Sequence, residues 1–387
     1  MNKNILNTHV QEFINAHLNQ DITKTILSGS PFAEVAIAEI ADQIAAKKKC
    51  ESKLPLWFQT PNIYFPPPLS VEQASSEITA RYKAGLLSPG TLADLTGGMG
   101  VDCFYFSQNH QQTTYIESNP LLAAITHHNF EVLQAPIRCE TGDGISLIHD
   151  GFFDTIYIDP SRRNQTKGKV FLLSDCQPNV VEQLDYLLSR CRRLLIKTSP
   201  MLDISAGLKE LKNVHQLHIV AVNNEVKELL WLIQPQPAPQ VELVTVNFKG
   251  EQPEFFTTLL GAEAEATYAL PRKYLYEPNA ALMKSGAFEA VSQHFGIDKL
   301  HKHSHLYTSD YLTDFPGRVF IIEKTVLYNK KEMKILTDST AHVATRNFPL
   351  SATDLKKLWK IKDGGEYYYF FTTLTDNSKA VLLCKKP

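Results

Sequence analysis

The sequence predicts an α/β protein: a mainly parallel sheet with helices on both faces, closed by an antiparallel hairpin, with a helical N-terminal region before it and small α+β domains after it. Three observations carry this expectation. Strand-like and helix-like segments alternate from Thr91 to Gln234 at a pitch suited to parallel strands joined by crossover helices. The last two strand segments of that stretch are separated only by Asn223-Asn224-Glu225, a turn too short for anything but an antiparallel pair. The first strand segment runs through an acid into a glycine-rich turn and then a helix: Leu92-Ala93-Asp94-Leu95-Thr96-Gly97-Gly98-Met99-Gly100. Glycines at such a turn let the backbone pass close to a ligand.

Composition narrows the class. At 387 residues the chain is long enough for several domains. Lys and Arg number 39 against 41 Asp and Glu, which argues against coating nucleic acid by overall basicity but leaves room for a local basic patch. The six cysteines, at 50, 103, 139, 176, 191 and 384, include no C-x-x-C pair, so neither a zinc ribbon nor a redox motif is expected. Met1–Val10 is polar, no apolar signal region follows, and no apolar run is long enough to span a bilayer; a cytoplasmic protein is expected.

The elements are expected in this order. Residues 1–86 form an N-terminal helical region. Phe13, Ile14, His17 and Leu18, then Val35, Ile37, Ile40, Ile44 and Ala45, recur at helical spacing, broken around Gly29-Ser30-Pro31. Lys47-Lys48-Lys49 suits a helix C-terminus. Residues 52–70, rich in aromatics and proline, read as an extended connection. Ser70–Leu86 reads as one helix with Ser70 as N-cap and Gln73 as its capping-box partner. Residues 87–260 form the sheet domain, with strands at 92–95, 113–117, 136–139, 154–158, 193–198, 215–222 and 226–233. Helices fall between them at 101–109, 120–133, 143–149, 178–190 and 203–211. Three prolines at 235–239 mark a boundary, and 241–260 alternates as strands around Lys249-Gly250. An α+β domain at 261–318 and another at 319–387 follow. The latter holds strands 319–325, 341–347, 366–374 and 379–384 and a helix at 351–360.

Candidate chemistry gathers at the carboxyl ends of the strands, where open α/β sheets bind ligands. The G-G-x-G spacing and the preceding Asp94 differ from the dinucleotide pattern G-x-G-x-x-G and fit the first motif of class I S-adenosylmethionine-dependent methyltransferases better. Glu117 ends the second strand, where a carboxylate can accept both ribose hydroxyls of an adenosine. An NAD ribose would suit it equally. Gly142-Asp143-Gly144 follows the third strand, and an acid there can accept an adenine amine. The fourth strand delivers Asp159-Pro160-Ser161-Arg162-Arg163 to the rim. The Asp159 oxygen and the Pro160 carbonyl can accept hydrogen bonds from a target N–H and aim its lone pair at a methyl donor. The donor is already activated, so positioning suffices. The commonest form, Asp-Pro-Pro-(aromatic), offers a ring to stack on a base; here Ser161-Arg162-Arg163 follows the proline, and its arginines stack on a base, clamp a phosphate or sit in a solvated loop. With Lys167 and Lys169 they make a basic loop that suits a phosphate-bearing substrate. Lys197, near the end of the fifth strand, faces either the substrate or the protein. No Cys lies at the rim, which disfavours a covalent cysteine mechanism. His301, His303 and His305 alternate without an acid or Cys partner and read as non-metal.

Together these residues resemble a bacterial family of class I methyltransferases with a THUMP-like C-terminal domain. The matching stretches are 72–76 (Glu72-Gln73-Ala74-Ser75-Ser76), 94–100, 158–163, 274–279 (Tyr274-Leu275-Tyr276-Glu277-Pro278-Asn279) and 346–350 (Arg346-Asn347-Phe348-Pro349-Leu350), with Asp363-Gly364-Gly365. The resemblance implies a Rossmann-like sheet, a ferredoxin-like segment near 271–318 and a THUMP-like segment after it, with transfer RNA or ribosomal RNA as partner. Lys356, Lys357, Lys360, Lys362 and Arg346 form either a basic face there or an ordinary solvated one. The helix before the first strand often lies over the methionine end of the cofactor in this class, so Thr79 and Lys83, on one helical face, are expected near its carboxylate unless they belong to a solvent-facing stripe. The function expected is transfer of a methyl group from S-adenosylmethionine to a base nitrogen in structured RNA. The catalytic residues are Asp159, Pro160 and Arg162. The cofactor set is Thr79, Lys83, Asp94, Thr96, Gly97, Gly98, Gly100, Glu117, Asp143 and Gly144. Ser161, Arg163, Lys167, Lys169 and Lys197 would meet the RNA. No metal, membrane or protein partner is expected. The alternative is a catalytically decayed S-adenosylmethionine-binding module that interacts with RNA. An NAD(P)-dependent oxidoreductase is disfavoured by the G-G-x-G turn and the closing hairpin.

Overall fold

The computed structural model describes residues 1–162, 172–250 and 252–387, so Arg163, Lys167 and Lys169 of the expected basic loop lie outside the described residues. The chain divides into two compact units, Met1–Val214 with Trp231–Pro237, and His215–Leu230 with Ala238–Pro387.

The first unit begins with helices α1 (Thr8–His17), α2 (Ile22–Leu27) and α3 (Ile37–Lys53), whose apolar faces bury Val10, Ile14, Ile40 and Ile44 in one cluster. The expected extended connection is helical at its start. Proline at the first position sets α4 (Pro55–Gln59), which buries Trp57 against the edge of the Phe104 ring. Residues 63–67 belong to no helix or strand, and two side-chain amides pair with their backbone as a neighbouring strand would. Gln43 exchanges hydrogen bonds with the backbone of Phe65 at 2.6 and 3.0 Å, and Asn129 does so with Tyr64 at 2.9 Å each. The single helix expected over 70–86 is two. Pro68 starts α5 (Pro68–Gln73) two residues before Ser70, and Ala74 leaves the helix in an extended conformation. The hydroxyl of Ser76, not Ser70, then caps α6 (Glu77–Gly85) by accepting the Thr79 N–H at 3.3 Å.

The parallel sheet follows: β1 (Thr91–Asp94), α7 (Val101–Ser107), β2 (Gln112–Glu117), α8 (Pro120–Val132), β3 (Ile137–Thr141), α9 (Gly144–Leu147) and β4 (Phe153–Ile158). Two short strands, β5 (Ser161–Arg162) and β6 (Cys176–Gln177), pair antiparallel beyond β4. Then come α10 (Leu184–Ser189), β7 (Cys191–Thr198) and α11 (Ile204–Glu210). In space the strands of this unit run β7-β4-β1-β2-β3, each pair parallel. The order reverses between β1 and β4, which opens a crevice at their carboxyl ends. Both faces of the sheet are covered, so its strands bury Leu92, Ala93, Ile156, Leu194 and Ile196.

Two longer strands, β8 (Val214–Val222) and β9 (Glu225–Ile233), are joined by Asn223 and Asn224, both with positive φ, the backbone a two-residue hairpin requires. Most of this hairpin lies in the second unit. There β8 pairs in parallel with β10 (Glu242–Lys249), which folds back on β11 (Gln252–Leu259). A separate seven-stranded sheet follows, built from β12 (Tyr274–Pro278), β13 (Asp298–Lys299), β14 (Tyr307–Ser309), β15 (Gly317–Leu327), β16 (His342–Arg346), β17 (Tyr367–Thr373) and β18 (Lys379–Lys385). Its order is β13-β14-β12-β15-β18-β17-β16. The long strand β15 joins the two halves, pairing with β12 through its first residues and with β18 through its last. Helices α12 (Ala280–Ser285) and α13 (Phe288–Phe295) cover Tyr276, Leu282 and Val291, while α14 (Ala352–Trp359) and a 3₁₀ turn at Glu332–Leu336 cover Leu355, Phe371 and Val381.

Candidate active site

The glycine turn after β1 is held in place by groups around it. The Gly97 N–H donates to the Ile116 carbonyl (2.9 Å) and the Gly100 N–H to the Gly97 carbonyl (2.8 Å). A β-carbon on Gly97 would lie 2.1 Å from the Tyr115 ring, and one on Gly100, where φ is +77°, would lie 2.5 Å from Phe130 and Thr126. Gly98 differs: its φ is +53°, yet the nearest atom a β-carbon would meet is the Thr96 carbonyl oxygen at 3.8 Å. Packing thus fixes two glycines, while the third keeps open space above the turn. The Gly98 carbonyl accepts from Tyr115 and Thr126 at 2.7 and 3.0 Å, and its N–H donates to Glu117 at 2.8 Å. The other Glu117 oxygen accepts the Asn119 N–H at 2.8 Å. Glu117 therefore braces the turn from the end of β2 while remaining partly exposed. Asp143 is exposed and caps α9 through the Ser146 N–H at 2.8 Å, and Gly144 is pressed against the Leu95 backbone.

Asp94 is buried at the end of β1, where it accepts the Thr96 N–H at 3.0 Å. Burial pushes its carboxyl well above the usual range despite that hydrogen bond, and the nearby carboxylates of Asp102, Asp159 and Glu117 push the same way.

The Asp-Pro corner stands beside the turn because β4 pairs with β1, Asp94 opposite Tyr157. One hydrogen bond joins the two directly: the Asp159 N–H donates to the Thr96 hydroxyl at 2.7 Å. Asp159 is partly exposed and Pro160 is buried. Ser161, exposed, and Arg162 continue into β5, which β6 holds in place. The register Ile158 opposite Ile196 brings Lys197 alongside Asp159, and its ammonium pairs with Oδ2 of that carboxylate.

Sequence reasoning missed Asp102, Ser75 and Tyr157. Asp102, in the first turn of α7, is buried and accepts from Ser75 Oγ at 2.8 Å and Tyr157 OH at 2.7 Å, and the Lys83 ammonium lies 3.3 Å away. Burial would raise the Asp102 carboxyl, but the charges of Lys83 and Lys197, with the Tyr157 and Ser75 hydrogen bonds, hold it below the usual range. Lys83 and Thr79 do not form a solvent-facing stripe: Lys83 is fully buried against Asp102, and Thr79 is buried with its hydroxyl donating to the Ser76 carbonyl at 3.1 Å. Only Ser75, within the 72–76 stretch, carried a signal for this network.

Comparison with known proteins agrees with this architecture. A family model described as a ferredoxin-like domain matches residues 274–316, and one described as THUMP domain-like matches 317–386. Comparison with curated proteins finds no match. Among solved structures, a "putative methyltransferase" from Porphyromonas gingivalis W83 is 34% identical over 99% of this chain and 98% of that one, with a TM-score of 0.89. An rRNA methylase from Streptococcus thermophilus aligns with 41% of this chain and 95% of its own, at 16% identity and a TM-score of 0.30. The full-length match at 34% identity, with the two C-terminal domain matches, places the chain in the bacterial class I methyltransferase family that carries ferredoxin-like and THUMP-like C-terminal domains.

Proposed function

We propose that the chain is an S-adenosylmethionine-dependent methyltransferase acting on a base nitrogen in structured RNA. The observation that carries this is the hydrogen bond from the Asp159 N–H to Thr96. It joins the glycine turn and the Asp-Pro corner at the carboxyl ends of adjacent parallel strands. The residues present suit the cofactor. Gly98 leaves open space above the turn, Glu117 offers partly exposed carboxylate oxygens to a pair of hydroxyls, and Asp143 offers an exposed one to an amine. Asp94, a buried acid among other acids, gains most from a ligand that brings positive charge. S-adenosylmethionine supplies such charge, with a methyl group already activated on sulfur. Thr96, Gly97, Gly100 and Gly144 shape the turn; Lys83, buried, pairs with Asp102 in the first turn of the helix that follows it, and Thr79, on the same helix as Lys83, is buried and bonded to Ser76.

At the target, Asp159 and the Pro160 carbonyl accept N–H and hold the nitrogen's lone pair in line, a positioning task that needs no strong base. Arg162, Ser161 and the basic residues Arg163, Lys167 and Lys169 suit the flanking phosphates of an RNA. The C-terminal segment supports a polyanionic partner: residues 317–387 hold 13 Lys and Arg against 7 Asp and Glu, although the whole chain is slightly acidic. Exposed Lys331 and Lys334 lie beside and on the 3₁₀ turn, and exposed Lys357 and Lys360 on and beside α14, two elements that share one apolar cluster.

Calorimetry with S-adenosylmethionine is the first test. Transfer of a tritiated methyl group to total RNA from a strain lacking the gene, with nucleoside analysis of the product, is the second. Binding followed by an N-methylated nucleoside is the expected result, and absence of binding overturns the reading. Binding without transfer favours a decayed RNA-binding module, a reading to which the occupation of one Asp159 oxygen by Lys197 lends weight.

A further inference from the structure

Lys197 was expected either at the substrate or in the protein, and its surroundings decide between them. Its side chain is only 12% exposed, and its ammonium pairs with Oδ2 of Asp159. Its charge also acts on Asp102, which is itself fixed by Ser75, Tyr157 and Lys83. Tyr157, which donates to Asp102, lies near the end of β4, two residues before Asp159, which pairs with Lys197. A carboxylate at the end of a strand has two equivalent oxygens and a rotatable χ2, and an acceptor that must aim a lone pair needs one of them held still. Asp159 has a fixed backbone, through Thr96, and one fixed oxygen, through Lys197.

We propose that Lys197 is a positioning residue: it ties down Oδ2 of Asp159 so that Oδ1 is presented to the target N–H. This rests on the methyltransferase reading above. Lys197 acts through Asp159 and does not itself grip the RNA. The methyl group passes from sulfur to nitrogen, the sulfur–carbon bond breaks as the nitrogen–carbon bond forms, and the nitrogen's proton leaves to the Asp159 carboxylate and then to water. Lys197 keeps its own protons throughout.

A double-mutant cycle on methyl transfer tests this, with Lys197→Met, Asp159→Ala and the pair in the full-length chain. Lys197→Met should lower kcat by about 10- to 100-fold while the RNA KM and the S-adenosylmethionine Kd stay within about twofold. Lys197→Arg, which restores a cation and a donor, should recover much of the loss. In the Asp159→Ala background, Lys197→Met should cost less than about twofold, because the oxygen it ties down is already gone. Losses that multiply, or a rise in RNA KM with kcat unchanged, would overturn the proposal by making Lys197 an independent substrate contact. Thermal midpoints of the variants identify any that fail to fold. In that event the cycle is read with Lys197→Gln, which keeps a donor of similar length and should lose less than Met. A wild-type chain that transfers no methyl group to any RNA overturns the function itself. A wild-type chain that transfers while the losses multiply overturns only the role of Lys197.

Discussion

Glu277 in β12 and Asp159 at the end of β4 are both carboxylates facing cations, and they are finished differently. Glu277 is buried, and both its oxygens are taken: Arg318 Nε donates to Oε2 at 2.6 Å and Arg346 Nη2 to Oε1 at 2.6 Å. Asp159 is about one-third exposed and, among the described residues, pairs with one ammonium, that of Lys197, through Oδ2. The first arrangement saturates the acid and closes a structural contact between β12, β15 and β16. The second keeps the acid within reach of a ligand at the rim of a parallel sheet. A buried acid with a guanidinium on each oxygen is closed to ligands; a partly exposed acid paired with a cation through one oxygen at the mouth of a crevice stays open to them.

Substituting each acid separates the two. Asp159→Ala should reduce methyl transfer by about 1,000-fold with little change in unfolding by urea, since the group is partly solvated and, on the proposed function, orients the target. Glu277→Ala should instead lower stability by about 3 kcal/mol in urea unfolding, because two guanidinium groups lose the buried charge between them. S-adenosylmethionine binding should persist in both. A large loss of stability in the first variant would erase the contrast.

The glycine turn allows a finer version of the same separation. Gly97→Ala drives a methyl group into the Tyr115 ring and should cost about 2 kcal/mol of stability, as overpacking does. Gly98→Ala meets no neighbour but must hold a left-handed backbone, a cost of about 1 kcal/mol. Because its methyl group fills the open space above the turn, where the proposed function puts the cofactor, Gly98→Ala should weaken S-adenosylmethionine binding by about tenfold or more in calorimetry while unfolding close to wild type. Equal affinities for Gly98→Ala and wild type would place the ligand elsewhere.

The fold was largely legible in the sequence because its signals are local. A strand–turn–helix shows in the spacing of Asp94, Gly97, Gly98 and Gly100, and the hairpin shows in Asn223-Asn224. The Asp159-Pro160 corner was legible for the same reason, since a hydrophobic strand ending in an acid and a proline needs no partner to be recognised. The network behind it was not. Asp102 lies 27 residues from Ser75 and 55 from Tyr157, and Lys197 lies 38 from Asp159, so each contact depends on strand order and register that no local pattern encodes. Thr79 and Lys83 illustrate the limit from the other side. Polar residues spaced along a helix usually mark its wet face, but here they point inward, because Asp102 supplies a partner for the buried ammonium. The break at Ala74 was partly readable, since Ser76 is as good an N-cap as Ser70 and directly precedes Glu77.

Asp94 and Asp102 turn the comparison into a pH experiment, because their carboxyl groups are displaced in opposite directions within one site. Asp102 lies below the usual range when folded. Its contribution is present above the unfolded value near pH 4 and is lost as pH falls through the lower folded value. Asp94 lies above it. Between the unfolded value and the raised folded one, the native chain keeps a proton that the unfolded chain has released, so stability falls as pH rises, by at most about 1.4 kcal/mol per pH unit. Above the unfolded value near pH 4 and up to the raised folded one, only Asp94 of the two contributes a slope. Asp94→Asn, which has no carboxyl to ionise, should therefore show a flatter urea midpoint than wild type across that window. Saturating S-adenosylmethionine should flatten the wild-type curve as well, because a ligand that brings positive charge to the end of β1 lowers the cost of ionising Asp94. An unchanged wild-type slope with the ligand bound would mean that its charged groups lie away from this acid.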